Sequence, residues 1–230
     1  MNVLIVGDDA RSLELLALVI RQGNWLPLTA YTFHDAVAHH EKTPVNLVLV
    51  ESNGSLTDQI ALCQALKQRL VVPIIVITPW TDEASQRSLY EGGADDCVLR
   101  PYSPRLLEAK IRSLLRLCGS VPLATLSLVE SGAVALDPER HTVTLKGGEP
   151  LRLTPLEFRL LYALISNSGR VLPADTLIYK IWGYTGEGNR DLLKQLVSRL
   201  RSKLEPEARV PRYIRTIPGV GYSFSPTEDG

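Results

Sequence analysis

The sequence predicts a doubly wound parallel α/β sheet followed by a smaller α+β domain, three helices closed by a hairpin. Three observations predict it. Up to residue 118, short uncharged aliphatic runs alternate with helix-period patterns roughly every 25 residues. A chargeless stretch with two chain breakers, Gly119 to Leu126, follows. Beyond it the pattern changes to paired strands, then helices with strong start signals, then a hairpin. With 230 residues, two ordinary domains are expected. They are set at residues 1–118 and 127–230, with a linker at 119–126.

In chain order, Val3–Val6, Leu47–Val50 and Ile74–Ile77 read as buried strands, too short for helices and rich in β-branched residues. Leu13, Leu16, Leu18 and Ile20 are read as one side of an amphipathic helix. Ile60, Cys63, Leu66 and Leu70, following Thr57, are read as another. Cys97-Val98-Leu99 is a further strand, and a helix opens at Ser103-Pro104 and runs through Arg116. Past the linker, Ala133–Leu136, Thr142–Leu145 and Leu151–Leu153 suggest an antiparallel meander turning at Gly147-Gly148. Thr154-Pro155-Leu156-Glu157 combines a capping box with proline at the first helical position, and Asn167-Ser168-Gly169 stops that helix. Helices over Ala174–Trp182 and Arg190–Leu204 come next. Strands at Tyr213–Thr216 and Gly221–Phe224 flank a Pro218-Gly219 turn, which makes a helix-turn-helix with a wing.

Composition excludes several classes. With 45% hydrophobic residues, 22% charged and 15 prolines, disorder, collagen and coiled coil are ruled out. Apolar runs such as Leu47–Val50 and Val71–Ile77 fall far short of the ~18–20 residues of a membrane span. Met1–Val6 has no basic lead, so a secretory signal is not expected and a cytoplasmic setting is. Cys63, Cys97 and Cys118 lack C-x-x-C spacing, which favours neither a disulfide framework nor zinc. His39-His40 are adjacent rather than four apart, so they are no metal pair. No nucleophile–His–acid set and no glycine-rich phosphate loop is visible. Neither enzymatic activity, nor a cofactor, nor a metal is expected.

Net charge is zero, but the segment 190–215 holds eight basic residues against three acidic ones, a net of +5. Such a stripe on a neutral protein reads as a nucleic-acid footprint or as a solvated helix face. At the other end, Asp8, Asp9 and Glu51 are carboxylates at neighbouring strand ends, joined there by the hydroxyl of Thr78 and the cation of Arg100. In doubly wound sheets functional groups gather at the carboxyl ends of strands. A divalent-metal or phosphoryl site is the functional reading, and wet strand ends that tolerate acids the plain one.

The first half resembles a response-regulator receiver domain along essentially its whole length. Val3-Leu4-Ile5-Val6-Gly7-Asp8-Asp9 resembles the opening strand with its acids. Asn46-Leu47-Val48-Leu49-Val50-Glu51 resembles the strand that ends in the phosphoaccepting Asp. Pro73–Thr78 resembles the strand with the switch hydroxyl, and Gly93–Tyr102 the segment with the switch aromatic and the Lys-Pro. The resemblance implies a five-stranded, flavodoxin-like parallel sheet. The sequence departs from the pattern at four positions. Glu51 stands at the phosphoacceptor, Gly7 at the first paired acid, Cys97 at the switch aromatic and Arg100 at the phosphate-bridging Lys.

The longer Glu51 side chain displaces the carboxylate from the in-line position, and Gly7 removes a metal-binding acid. Arg100 offers Glu51 a planar, bidentate partner. At ~4 Å and an effective dielectric of ~20 their gross attraction is about 4 kcal/mol before desolvation. A Glu51–Arg100 pair, with Asp8 alongside, is therefore expected.

The second half is similar to the OmpR/PhoB-type winged-helix effector domain over about 100 residues. The carrying segments are Leu153–Phe158, Gly169-Arg170-Val171, Ile181–Tyr184, Ser198–Leu204 and Tyr213–Tyr222. The helix over 190–204 is expected to bury Leu193, Leu196 or Val197, and Leu200. Lys194, Ser198, Arg199 and Arg201 would face the major groove. The resemblance extends the DNA-binding set to Arg190, Lys203, Arg215, Thr216 and Tyr222, with Asp191 and Pro218 where many members carry basic residues. It also implies double-stranded DNA and RNA polymerase as partners. A receiver homodimer is implied through Asp95, Asp96, Leu106 and Lys110.

The whole reads as a sequence-specific DNA-binding transcriptional regulator working without Asp phosphorylation. The alternatives are a regulator phosphorylated at a non-standard residue, and a receiver-based adaptor that binds protein or ligand.

Overall fold

The computed structural model describes residues 1–119, 129–131, 134–138, 140–145, 148–183, 189–207 and 210–225, without the side chains of 117–119, 129–131 and 189. The chain divides into two units, Met1–Cys118 and Gly119–Gly230. Apart from Gly119, the expected linker lies outside the described residues, as do Ala133, Gly147 and Tyr184.

In the first unit five strands alternate with five helices. These are β1 (Asn2–Gly7), α1 (Ala10–Gln22), β2 (Leu26–Ala30), α2 (Phe33–Lys42), β3 (Leu47–Glu51), α3 (Leu56–Arg69), β4 (Ile74–Thr78), α4 (Glu83–Glu91), β5 (Asp96–Leu99) and α5 (Pro104–Gly119). The strands form one parallel sheet in the order β2-β1-β3-β4-β5. All residues of β3 and β4 are buried, which is why these strands carry no alternation. The helices start on side-chain caps. Asp9 caps α1 and Asp82 caps α4, while Thr32 with Asp35 and Ser55 with Asp58 form capping boxes on α2 and α3.

Two helix faces differ from expectation. On α1 the buried set is Leu13, Leu16, Ala17 and Ile20, whereas Leu18 is 53% exposed. At 100° per residue Leu18 sits 140° from Leu13, on the far side of the helix. Helix α3 begins at Leu56, one residue before Thr57, on the Ser55 cap, and its buried stripe contains Gln59 rather than the half-buried Ile60. Strand β2 escaped the sequence reading because it is a partly exposed edge interrupted by Pro27.

Among the described residues the second unit holds two antiparallel sheets and three mutually packed helices. The first sheet is β6 (Val129–Ser131), β7 (Val134–Asp137), β8 (Thr142–Leu145) and β9 (Leu151–Arg152). The helices are α6 (Pro155–Ile165), α7 (Ala174–Trp182) and α8 (Asn189–Leu204). The second sheet has the order β10 (Val171–Pro173), β12 (Gly221–Phe224), β11 (Ile214–Ile217). The Thr154–Glu157 capping box forms as read. Trp182, Phe158 and Phe224 are the largest fully buried side chains here, so Trp182 is a core residue. At the hairpin tip, Val220 N–H donates to the Ile217 carbonyl at 3.0 Å and Gly219 has φ +74°. Pro218 and Gly219 thus fill the two central positions of a type II turn.

Candidate functional site

The register of the parallel sheet brings the predicted pocket residues to one edge. Gly7 pairs with Glu51, Glu51 with Ile77 and Thr78 with Leu99, so Glu51, Thr78 and Arg100 end neighbouring strands. Glu51 is only 5% exposed, and its Oε1 lies 2.9 Å from Arg100 Nη2. Glu51 Oε2 and Arg100 Nε keep unfilled hydrogen-bonding capacity among the described residues. Burial pushes the Glu51 carboxyl above its ordinary range, more than the Arg100 charge pulls it down.

Arg100 also donates from Nη1 to Asn53 Oδ1 at 3.0 Å. Asn53 in turn donates its backbone N–H to Asp8 at 3.0 Å and its amide to Asp8 at 3.3 Å, while Ser52 Oγ donates to Asp8 at 2.9 Å. The Asp8 carboxylate is thus taken up by the loop between β3 and α3. Asp9 serves as the α1 cap, and bonds from Ser12 and Arg11 hold its carboxyl below the usual range. Thr78 Oγ1 donates to Gln59 Oε1 at 3.2 Å, and Gln59 Nε2 reaches the Ser52 carbonyl at 2.8 Å. At Gly7 an added Cβ would stand 2.2 Å from the Glu51 carbonyl oxygen, so an acid there requires β1 or β3 to move. Cys97 is buried and burial pushes its thiol far up, while the Cys63 thiol is pushed up to about 12. Neither thiol is a nucleophile near neutrality.

Most of the residues expected on a dimer face are engaged within the domain. Asp95 and Asp96 are each 1% exposed and point inward. Asp95 pairs with Lys67 and accepts the Ile74 N–H at 2.9 Å. Asp96 pairs with Lys110 at 2.7 Å. Of the four residues only Leu106 stands clear of the chain. A charged group placed beside an opposite one within its own domain is already neutralised, and little is left for a partner.

Along α8, Leu192, Leu193, Leu196, Val197, Leu200 and Leu204 are buried; Lys194 and Ser198 are exposed, and Arg199 is half-buried. Lys194 Nζ rests on Asp191 at 2.8 Å and Arg190 on Asp175 at 3.1 Å, both at the surface. Arg201, expected to face outward, is tied to the wing, whereas Lys203 reaches α6 while staying exposed. Arg201 donates from Nε and Nη2 to the Ile214 carbonyl at 3.0 and 2.6 Å and from Nη2 to Thr216 Oγ1 at 2.8 Å, with its guanidinium over the Tyr222 ring at 6.0 Å. Lys203 pairs at 2.7 Å with Glu157, a buried carboxylate that also accepts the Thr154 N–H. Tyr222 is 8% exposed, its phenol pushed up by burial. Arg215 and Thr216 remain exposed on β11.

Glu205, which the sequence reading missed, takes four hydrogen bonds from the backbone N–H groups of Arg212, Tyr213 and Ile214 at 2.8–3.2 Å. It ties the end of α8 to the start of β11. An acid directly after a helix and before a strand carries too weak a signal to find it.

The receiver-domain family of response regulators matches residues 3–112, and the C-terminal domain of transcriptional regulatory proteins matches residues 148–224. The DNA-binding response regulator MtrA of Mycobacterium tuberculosis is 33% identical over 225 residues, 98% of this chain and 97% of that protein. This chain is an OmpR/PhoB-type response regulator. A protein of Cyanophora paradoxa named as a probable transcriptional regulator, ycf27, is 34% identical over 99% of this chain and 98% of its own length. A substituted form of RitR has the same fold, with a TM-score of 0.78 at 22% identity over 97% of this chain and 98% of that one. In this response regulator Glu51 and Arg100 pair at the strand ends, Asp8, Asp9 and Thr78 bond to α1, α3 and the loop before α3, and the second domain combines an exposed face on α8 with a fastened wing. Among the described residues no helix is long and apolar enough to cross a membrane, and no group of His, Cys, Asp and Glu is arranged to hold a metal.

Proposed function

We propose that this response regulator binds double-stranded DNA sequence-specifically to control transcription in the cytoplasm, and that its receiver works without phosphoryl transfer. The observation that carries the second part is the pairing of buried Glu51 with the half-buried Arg100, continued through Asn53 to Asp8. Phosphoryl transfer needs an in-line acceptor, a metal held by acids and a cation that meets the incoming phosphate. Here the acceptor position bears the longer Glu51, engaged with that cation. Gly7 supplies no acid, and Asp8 is taken up by the loop. The receiver is a degenerate one, held in a single arrangement by internal charge.

DNA binding is supported by family membership, by the name of the relative MtrA and by the exposed residues of α8 and β11. Lys194 and Ser198 read bases, while Arg190, Arg199, Arg215 and Thr216 hold phosphates. Arg201, Lys203 and Tyr222 act through the wing and the α6–α8 contact rather than as independent readers. RNA polymerase is the further partner, as expected for a transcriptional regulator.

Footprinting on fragments of the genome that encodes the chain, with and without acetyl phosphate and Mg²⁺, tests both parts. Protected sites that are the same in both arms are expected. Protection only after treatment, with a phosphoryl adduct in the intact mass, contradicts the receiver part, and the absence of any protection contradicts DNA binding.

A further inference from the structure

Strand β2 is an edge of the five-stranded sheet and pairs only with β1. The Leu26 N–H donates to the Met1 carbonyl at 3.0 Å, and in a parallel ladder every second residue then turns its backbone groups toward the neighbour. Leu26, Leu28 and Ala30 therefore bond toward β1, while the Pro27 carbonyl and the Thr29 N–H and carbonyl point off the edge. Two open grooves flank these groups. On the α1 side, Leu13, Ala17 and Leu18 line a groove of about 480 Å³ with Thr29 and Tyr31. On the α2 side, Ala38, His39 and Lys42 line one of about 240 Å³ with Thr29 and Ala30. Leu18 and Tyr31 are 53% and 57% exposed. Lys42 is exposed and has no ion pair or side-chain hydrogen bond among the described residues. Asp35, the acid of that groove, is held by Thr32 in the α2 capping box.

We propose that this edge takes an extended segment of a partner protein as a sixth strand, parallel to β2, with an acidic residue between two aliphatic ones. Opposite Leu28, the N–H of the acidic residue meets the Pro27 carbonyl and its carbonyl meets the Thr29 N–H. The residue two further on donates to the Thr29 carbonyl. The N–H that Pro27 lacks would serve only a residue before this segment, which keeps the added strand short. Register partners in a parallel ladder turn their side chains to the same face. Ala30 lines the α2 groove, so the residue opposite Leu28 turns there as well, where the Lys42 cation favours a carboxylate. Its two neighbours, opposite Pro27 and Thr29, turn toward Leu13, Ala17 and Leu18. As the crossover between two parallel strands, α2 runs back along the sheet, which sets Lys42 toward the start of β2 and Asp35 toward its end. The acid therefore belongs opposite Leu28, and a neutral residue opposite Ala30.

Fluorescence anisotropy of a labelled, end-capped Val-Glu-Val-Thr-Val peptide titrated with the full chain tests this independently of the DNA-binding and phosphate readings. A dissociation constant on the order of 10–100 µM is expected. Methylating the Glu nitrogen, whose N–H meets Pro27, should weaken binding about tenfold or more. Methylating the nitrogen of the next Val, whose N–H points away from β2, should leave it within about threefold. Lys42→Glu should weaken binding about fivefold, and a Val-Lys-Val-Thr-Val peptide should restore it with that variant to within about threefold. Lys42 is an exposed position at a helix end, and unchanged circular dichroism of the variant confirms that folding is intact. No binding below about 1 mM, equal loss on methylating either nitrogen, or a charge swap without recovery each overturns the proposal. A chain that sediments at twice its mass alone and at single mass with peptide assigns the edge to a second copy, and overturns it as well.

Discussion

At the carboxyl edge of the parallel sheet Arg100 reaches Glu51 on one side and Asn53 on the other; along α8, Arg201 reaches Ile214 and Thr216 while Lys194 and Ser198 stay on the outside. Both regions are rich in charge and hydrogen-bonding groups. In the receiver Arg100 bridges Glu51 and Asn53 at neighbouring strand ends, and Asn53 carries the chain of contacts on to Asp8. On α8 the helical period separates them: the first turns look outward, and the last turns meet the wing. What a cation does is therefore set by which acceptors the fold brings within reach of it.

The largest expected effect breaks the wing side of this comparison. Glu205→Ala strips the acceptor from three backbone N–H groups at once and should cost about 3 kcal/mol of stability in the winged-helix domain, read by urea unfolding. DNA affinity should fall with it, since the wing loses its tie to α8.

On the receiver side the two partners of the ion pair should differ. Arg100→Met leaves the Glu51 carboxylate buried and uncompensated, and about 2–3 kcal/mol is expected to be lost at neutral pH. Glu51→Gln removes the buried charge instead and should change stability by less than about 1 kcal/mol. Glu51 has a raised pKa in the folded chain, so folding takes up a proton. Its contribution to stability declines as pH rises from the ordinary glutamate value through the folded one. Glu51→Gln should remove that component from a stability-against-pH curve. A Gln variant as damaged as the Met variant would show that the pair stabilises rather than merely compensates.

Smaller effects sharpen the division along α8. Lys194→Ala should cost about 1–2 kcal/mol at a preferred site and less on unrelated DNA, whereas Arg215→Ala should weaken all sequences alike and lower the salt slope by about one. Smallest is Pro218→Arg at the exposed type II turn. It adds a cation where a narrow minor groove is most negative, and a few-fold gain restricted to duplexes with A·T flanks is expected. An equal gain on G·C flanks would mean the tip touches only phosphate.

The alternation of buried strands and helices, the capping box at Thr154 and the meeting of Glu51 with Arg100 are legible in the sequence, because each depends on local pattern or on strand-end convergence, whereas the exposed strands β2 and β10 are not. Leu18 was misplaced because a run of leucines hides a 140° rotation. Arg201 is expected to face outward from its helical spacing, and Asp95, Asp96 and Lys203 enter the expected dimer and DNA-binding sets through the family resemblance. Their burial or internal ties depend on Lys67, Lys110, Ile214 and Glu157, each from 13 to 46 residues away in the chain. Gln59, which fixes Thr78, breaks an apolar stripe, and that interruption was the one available sign of it.

The central claim is that the receiver's internal charge network stands in for phosphate. It is tested most directly by titrating one footprinted operator duplex with a single protein preparation, divided and incubated with or without acetyl phosphate and Mg²⁺. The account predicts dissociation constants within about twofold of one another and no phosphoryl adduct in the intact mass of either half. A treated half that carries the adduct and binds about tenfold tighter would contradict it.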